Sequence, residues 1–244
     1  MRQFLLFRLY GPMAAWGEVA VGDTRLSAAH PSKSAVLGLV AAALGLRRDD
    51  EARLQQLESG CGFAVRVDAA GELLRDYHTA QVPPEQRKVR YYTRRDELKG
   101  DDLYTILSTR DYRTDSCYSV ALWATAESCS LTDLQQALLH PKLPLCLGRK
   151  SCPLSLPLNP QLIEADALKK AFDQYDVAAG GFISLMLNGD EPRRYYWEQL
   201  DDTQAGIEST MRYLRRDLAR SRKRWQFAER DEFFAIEKGR EATA

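Results

Sequence analysis

The chain opens with a segment whose apolar side chains occupy both sides of an extended backbone. Leucine and phenylalanine fill both sides of the segment from Gln3 to Tyr10, with Arg8 as the main exception. Successive side chains of a strand point to opposite faces. Because both faces are apolar here, the pattern predicts a buried strand, which a following glycine and proline end.

Period-two alternation predicts further strands at Phe63–Val67, Leu73–His78, Cys117–Trp123, Gly180–Leu187, Arg193–Trp197 and Glu232–Lys238. Three segments have helical patterns. The first begins at a serine cap in Pro31–Ser34 and stops at Gly45, and the others are Leu131–Leu139 and Ala165–Tyr175. A further helix, at about 205–224, is predicted from the spacing of Ile207, Met211, Leu214 and Leu218.

This order of elements predicts an α+β fold. Residues 1–153 follow the order strand, helix, strand, insertion, strand, helix, strand, which is the ferredoxin-like topology also used by RNA-recognition modules. The insertion, at about 79–116, is polar and too long for an unstructured connection within a compact domain. Residues 154–244 are expected to form a smaller mixed region that packs on this domain and contains the helix at about 205–224.

Composition narrows the function classes. The chain of 244 residues has 34 basic and 34 acidic residues, which excludes a protein that coats nucleic acid by bulk positive charge. Its longest apolar stretch, Ala35–Leu46, is shorter than the roughly 18 residues of a membrane span. Five cysteines include no Cys-x-x-Cys pair. We therefore expect a cytoplasmic protein without membrane contact, metal or cofactor.

The insertion separates its charges. A basic half carries two aromatic residues, and the acidic half Asp96–Asp102 follows it. Cations that hold phosphates beside aromatic rings that stack on bases are typical of single-stranded RNA binding. The alternative is a solvated loop whose halves neutralise each other. The basic half contains Arg87, Lys88, Arg90, Tyr91, Tyr92, Arg94 and Arg95.

A second basic cluster lies on the helix predicted at about 205–224. Its cations outnumber the single local acid, Asp217, which indicates a surface for RNA or an acidic partner. The alternative is a solvated helix face. The residues that a helix would place on one side are Arg212, Arg216, Arg220 and Lys223.

Two smaller features complete the candidate chemistry. The turn Leu147–Pro153 has a glycine beside Arg149, Lys150 and Ser151, a combination that can hold a phosphate. Metal-free RNA cleavage needs a general acid and base, and only the neighbours Tyr77 and His78 suggest such a pair.

Several segments in chain order resemble the CasD subunits of type I-E Cascade complexes, a CRISPR-associated family of the RAMP superfamily. They are Leu9–Gly17, Pro31–Leu39, Leu44–Asp50, Arg75–Thr79, Val120–Trp123, Leu147–Pro153, Gln226–Ala228 and Ile236–Gly239.

The resemblance implies a non-catalytic subunit of an antiviral ribonucleoprotein complex. It implies a ferredoxin-like domain that holds the 5′ handle of the CRISPR RNA and an inserted thumb that closes over it. The implied partners are this RNA, the Cascade backbone subunits and the large PAM-recognising subunit, with target DNA contacted only indirectly. The thumb would correspond to the insertion, and Lys33, Ser34, Arg149, Lys150 and Ser151 would contact the handle from the domain face. A metal-free endoribonuclease and a pure protein–protein adaptor remain the alternatives.

Overall fold

The elements of the fold are taken from a computed structural model, which describes residues 1–20, 22–85, 89–179 and 192–237. Within these residues the strands are β1 (Arg2–Tyr10), β2 (Met13–Ala14), β3 (Thr24–Arg25), β4 (Cys61–Ala69), β5 (Glu72–Val82), β6 (Tyr104–Thr114), β7 (Cys117–Ala124), β8 (Gln161–Ala165), β9 (Arg194–Trp197), β10 (Met211–Ser221) and β11 (Gln226–Ile236). The helices are α1 (Lys33–Leu44), α2 (Glu51–Gly60), α3 (Arg94–Glu97), α4 (Leu131–Leu139), α5 (Leu168–Ala178) and α6 (Asp202–Ala205).

The ferredoxin-like core is the centre of the main sheet. Among the described residues this sheet runs in the order β10-β11-β9-β4-β7-β1-β8. Four strands of this sheet, β8, β1, β7 and β4, are antiparallel neighbours. Helix α1 lies in the connection from β1 to β4, and helix α4 lies in the connection from β7 to β8. The predicted α+β class and the ferredoxin-like order of elements are therefore confirmed.

Two apolar cores sandwich this sheet, one on each face. Phe7, Val65 and Val120 belong to the core that includes α1 and α4. On the opposite face, Phe4 and Trp123 belong to the core formed with α5. Because consecutive residues of β1 enter different cores, both sides of this strand must be apolar, and this explains its sequence pattern.

Helix α1 has the predicted ends. The Ser32 hydroxyl accepts a hydrogen bond from the Ala35 N–H at 3.1 Å, which satisfies a free donor of the first turn. At the other end Gly45 takes a left-handed φ of 75°, a conformation that glycine adopts without strain. Helix α5 and strand β9 match two further predictions to within a few residues, whereas the strand predicted at Gly180–Leu187 lies outside the described residues.

The insertion begins earlier than predicted and is mainly a β-hairpin. Strands β5 and β6 pair from Glu72 and Thr114 out to Val82 and Tyr104, and residues 83–103 connect them. We call β5, β6 and this connection the arm. The strand predicted at Leu73–His78 is the first half of β5, and it belongs to a second, smaller sheet with β2, β3 and β6.

The basic helix predicted at about 205–224 is wrong. Only the short α6 is helical in that region, and Met211–Ser221 is strand β10, paired with β11. Inward positions of β10 carry Arg215, Asp217 and Ala219, while Arg212 and Arg216 face outward. Two of these inward residues are charged: Asp217 is buried, Arg215 is half-buried, and both form ion pairs. Because charged residues occupy these inward positions, the spacing of the apolar residues alone did not show the two-residue alternation of a strand.

A network of buried charges fixes the β10–β11 hairpin to the start of α1. Asp217 accepts hydrogen bonds from two Arg230 nitrogens at 2.7 and 2.9 Å and from the Lys33 backbone N–H at 2.8 Å. Arg230 also donates to Glu232, and the Lys33 ammonium donates to Glu198. All five residues are buried. Each charge is stable there because an opposite charge compensates its lost hydration.

The network extends to a histidine. The Arg215 guanidinium lies against the His30 ring and 3.1 Å from Glu232, whose carboxylate also accepts the Tyr213 hydroxyl. The His30 ring stacks on Tyr196 at a centroid distance of 3.7 Å. Burial, followed by the nearby Arg215 charge, lowers the pKa of His30 well below its ordinary value. The imidazole is thus held neutral among the cations.

No helix in the described residues is both long and apolar enough to cross a bilayer. The five cysteines are all free thiols.

Replacing Lys33 with Met should lower the free energy of unfolding by about 3 kcal/mol, because it leaves Glu198 buried with less compensation. Urea denaturation of the two proteins measures this difference. Lys150→Ala is the matched control, since an exposed lysine should change stability by less than about 0.5 kcal/mol. Equal stability of Lys33→Met and the unmodified chain would show that the network does not hold the hairpin.

Glu58 should make the stability depend on pH. Burial raises the pKa of its carboxyl from 4.5 to about 7. The raised value favours the folded state below pH 4.5, and this contribution is lost as the pH rises through 7. Relative to Glu58→Gln, the unmodified chain should lose up to about 3 kcal/mol between the two pKa values.

Urea denaturation at several pH values measures this loss, and exposed Glu72→Gln is the control. Parallel pH profiles for Glu58→Gln and the unmodified chain would contradict the assignment.

Candidate nucleic-acid interface

The arm exposes apolar and aromatic side chains on both faces. Tyr77 and Tyr104 are 65% and 64% exposed, and Leu74 and Ile106 are also exposed. Exposed apolar groups grouped on one element mark a contact surface. The arm therefore leaves apolar side chains in contact with solvent over most of its length.

Contacts within the hairpin and backbone pairing to neighbouring strands hold the base of the arm. Arg75 donates two hydrogen bonds across the hairpin to Asp111, at 2.8 and 3.0 Å. This bidentate contact lowers the pKa of the buried Asp111 carboxyl. On the other edge of β6, β2 and β3 add backbone pairing. The base is thus held on both edges of β6.

The turn Leu147–Pro153 packs directly against the segment that follows β1. The Leu147 carbonyl accepts the Ala15 N–H at 2.9 Å. Gly148 has φ 86°, and a Cβ at this position would lie 1.8 Å from the Ala15 carbonyl oxygen. Only glycine fits this position, so the structure explains the glycine by close packing against a neighbouring backbone.

Arg149 joins this turn to the base of the arm. Its guanidinium donates to the carbonyls of Asp111 and Arg25, both at 3.3 Å, and lies 4.6 Å from the centre of the Tyr112 ring. Lys150 and Ser151, on the same turn, are exposed. Arg149, which the sequence predicted to contact a phosphate, therefore also makes contacts that hold this turn in place. Sequence reasoning missed Asp111 and Tyr112, whose pairing partners lie far away in the chain.

The connection at the end of the arm carries accessible cations. Tyr92 is 81% exposed, and the Arg90 guanidinium lies 5.3 Å from the centre of its ring. Arg95 is exposed as well, whereas Tyr91 is half-buried. The remaining predicted cations of this half, Arg87 and Lys88, lie outside the described residues.

The acidic half neutralises part of the basic half. Arg94 pairs with Glu97 at 2.7 Å and also donates to the Gln81 carbonyl, and Lys99 pairs with Asp96 at 2.8 Å. The hydrogen bond from Lys99 lowers the pKa of Asp96. Arg90 and Arg95 have no acidic partner within the described part of the arm. Arg90 and Arg95 therefore fit the interpretation of the insertion as an RNA-binding surface. Arg94 and Lys99 fit the alternative, a loop whose charges neutralise each other.

The predicted contact at Lys33 needs correction, and the contact at Ser34 stays a prediction. Lys33 is 1% exposed, and its ammonium is directed to Glu198 within the buried network. Ser34 is half-buried, with its carbonyl accepting a hydrogen bond from Arg222 at 2.6 Å and its hydroxyl 3.1 Å from Ser32. A buried ammonium with a carboxylate partner cannot reach a phosphate. Lys33 is a structural residue.

The outward cations of β10 differ in their partners. Arg212 is paired with Asp231 through two hydrogen bonds of 2.9 and 2.8 Å. Within the part of the chain that the structure describes, Arg216 reaches only the Phe227 carbonyl, at 3.4 Å. Arg220 and Lys223 are exposed and have no side-chain partner among the described residues. Only part of the predicted surface is therefore accessible to a partner.

The structure places the side chains of Tyr77 and His78 on different faces of β5. As neighbours in β5 they point to opposite faces of the arm, and their cross-strand partners are Thr109 and Ser108. Both are exposed, and the nearest acid to His78 is Asp76, at 3.8 Å. The described residues contain no cluster of three or more potential metal ligands.

Comparison with known proteins agrees with the resemblance seen in the sequence. A family model described as CRISPR-associated protein (Cas_Cas5) matches residues 4–232. The chain is 36% identical over 193 residues to the CRISPR system Cascade subunit CasD of Escherichia coli (strain K12), with 75% of this chain and 82% of that protein covered.

Two solved structures share the fold. One, titled CRISPR RNA-guided surveillance complex, has a TM-score of 0.64 at 24% identity and covers 96% of this chain and 90% of its own. The other, titled Crystal structure of Cas protein, has a TM-score of 0.62 at 27% identity and covers 96% and 94%. Because the family model spans nearly the whole chain, this protein belongs to the Cas5 family of CRISPR-associated proteins.

Proposed function

We propose that this chain is a non-catalytic, RNA-binding subunit of a Cascade-type CRISPR surveillance complex that holds the 5′ handle of the CRISPR RNA. Its family and its relative named as a Cascade subunit support the assembly. The observation that carries RNA binding is the arm: a hairpin fastened at its base, with cations free of acidic partners and an exposed tyrosine at its far end.

The handle would be gripped by phosphate contacts near the end of the arm. Arg90 and Arg95 are available for phosphates, and Tyr92 offers a ring for stacking. Arg87 and Lys88 precede them in the sequence and would extend the same contact. Phosphate contacts position a nucleic acid without reading its bases. The arm would therefore act as a clamp on the backbone of the handle.

A second contact would come from the turn at the base of the arm. Lys150 and Ser151 are exposed there, and Arg149 fixes the turn against β6. Arg149 has donors left over after its carbonyl contacts, since a guanidinium carries five N–H groups. The RNA would thus be held at two places, the turn at the base of the arm and the cations near the end of the arm.

The apolar faces of the arm suit neighbouring protein subunits. Leu73, Leu74, Ile106 and Leu107 are exposed there, and burying them against a partner is favourable because their apolar surface leaves water. The partners in this proposal are the Cascade backbone subunits and the large PAM-recognising subunit, in the cytoplasm, with target DNA contacted only through the complex.

The geometry gives the endoribonuclease alternative little support. Acid and base must both reach the same 2′-hydroxyl and phosphate, whereas Tyr77 and His78 lie on opposite faces of β5. The adaptor alternative would use the apolar faces of the arm without its cations. Nucleic acid that copurifies with the chain separates the proposal from the adaptor.

Removing two arm cations should weaken RNA retention and its salt dependence. Single-stranded RNA binding shows a log–log salt slope of about −0.7 for each phosphate neutralised, so Arg90→Ala with Arg95→Ala should flatten the slope by about 1.4. The measurement is RNA retention by the assembled complex at several salt concentrations.

Lys99→Ala is the matched control for the arm variant, because Lys99 is already paired with Asp96. It should leave affinity and slope nearly unchanged. If the double variant retains RNA as the unmodified complex does, the arm does not clamp the handle.

Repeat RNA incubated with the purified chain without metal should stay intact for hours, because Tyr77 and His78, the acid and base that the sequence suggests, lie on opposite faces of β5. Gel analysis of end-labelled RNA gives the answer. Cleavage at one position that is lost in His78→Ala would instead establish the endoribonuclease.

A further inference from the structure

We infer that the tip of the β10–β11 hairpin, together with the loop between α1 and α2, is a second binding surface for single-stranded nucleic acid. This surface goes beyond the proposed function, because it lies on a different hairpin from the arm. We call it the tip surface and define it by Arg47, Arg48, Lys223, Arg224 and Trp225.

Trp225 is the central residue of the tip surface. It is 61% exposed, whereas Trp16, Trp123 and Trp197 are buried in the two cores. A tryptophan ring gains much from contact with another ring or an apolar surface while its N–H can stay hydrated, so an exposed tryptophan suits recognition of a partner. The side chain is placed where a partner can reach it.

The backbone of Trp225 strengthens this reading. Its φ is 57°, in the left-handed region, where a bulky side chain is disfavoured and glycine or asparagine is the usual choice. The hairpin turn needs such a conformation but does not need a tryptophan. A residue that costs stability at this position indicates selection for its ring.

Two side chains orient the ring. The Arg48 guanidinium lies 5.1 Å from the centre of the Trp225 ring, and Phe227 meets that ring edge-on, at 5.5 Å and 90°. Arg48 comes from the loop after α1, so two distant segments build one surface. Because most of the ring remains exposed, a base can still stack on it.

The cations around the ring are available for phosphates. Arg47, Lys223 and Arg224 are exposed, and none has an acidic side-chain partner among the described residues. Nearby acids are partly engaged: Asp50 pairs with Arg53, and Glu51 accepts the Ser221 hydroxyl. The exposed Asp49 remains as a local acid. The surface therefore keeps an excess of positive charge.

The hairpin tip is held in place before any ligand binds. Arg222 donates to the Ser34 carbonyl at 2.6 Å, and its guanidinium lies so close to Gly38 that a Cβ there would be 3.3 Å from it. A preformed surface loses little entropy on binding. Arg222 thus acts as an anchor, while Lys223 and Arg224, which follow it, face the solvent.

The combination favours a nucleic acid over a protein. Protein docking would call for a wider apolar patch around the tryptophan, whereas here the neighbours in sequence are cations. Stacking requires bases that are free of a duplex. The shared chemistry of RNA and DNA strands fits the surface equally, and the experiment separates them.

Intrinsic fluorescence of the full chain tests the inference, because Trp225 is the one exposed tryptophan of the four. The probes are an oligouridine RNA, an oligothymidine DNA of the same length, and a duplex. A single strand should quench the emission, and the duplex should not. Quenching by RNA alone would assign a guide-type strand, and quenching by DNA alone a target-type strand; each supports the inference.

Four variants complete the test, with affinity measured by anisotropy of labelled oligonucleotides. Trp225→Phe should lose the quenching but keep the affinity within about twofold, because phenylalanine still stacks. Trp225→Asn, which suits the left-handed backbone, should weaken binding at least about fivefold. Lys223→Ala with Arg224→Ala should flatten the salt slope by about 1.4. Arg90→Ala with Arg95→Ala should leave the quenching intact, so that failure of the arm and failure of the tip surface are distinguishable.

Three outcomes would overturn the inference. Oligonucleotide binding without tryptophan quenching would place all contacts elsewhere. Equal quenching by duplex and single strand would reduce the surface to a simple electrostatic patch. Quenching by polyglutamate but by neither oligonucleotide would identify a docking surface for an acidic protein.

Discussion

Burial of charge dictates how the last hairpin of the chain sits on its first helix. Asp217 contacts residues that are 184 and 13 positions away in sequence, Lys33 and Arg230. Any displacement of the β10–β11 hairpin would leave several of these charges without a partner in an apolar surrounding. An unpaired buried charge costs more free energy than the loss of an apolar contact of the same size. The network therefore ties the β10–β11 hairpin, and with it the tip surface, to the start of α1.

The two hairpins of the protein use the same principle in different ways. Each hairpin leaves exposed cations at its far end. Each is also held by an arginine that donates to a backbone carbonyl of another element, and these arginines are Arg149 for the arm and Arg222 for the tip surface. A rigid attachment combined with a solvated end suits contact with a flexible, charged polymer. The ferredoxin-like core thus serves as a platform from which two basic projections extend.

The sequence predicted the core well because each core element has a clear physical signal. Strand β1 is apolar on both sides, and α1 has a serine cap and a terminal glycine. The arm was harder to predict, because both of its faces are exposed and no one-sided pattern arises. Strand β10 was misassigned because Arg215 and Asp217 occupy inward positions that usually hold apolar residues. Lys33 was assigned to RNA because its burial depends on Glu198, whose proximity no local pattern reveals.

Because the arm projects from its base, a small rotation at the base displaces its far end. Strand β3 pairs with β6 as far as Thr109, which lies opposite Tyr77, so residues 78–82 of β5 project beyond the paired base. At about 3.3 Å each they make a lever of roughly 16 Å, and a rotation of about 10° at the base moves its end by roughly 3 Å. The contacts of Arg75 with Asp111 and of Arg149 with the neighbouring carbonyls therefore govern the accuracy with which distant cations are aimed. A change in this stiffness would alter where Arg90 and Arg95 lie relative to the domain.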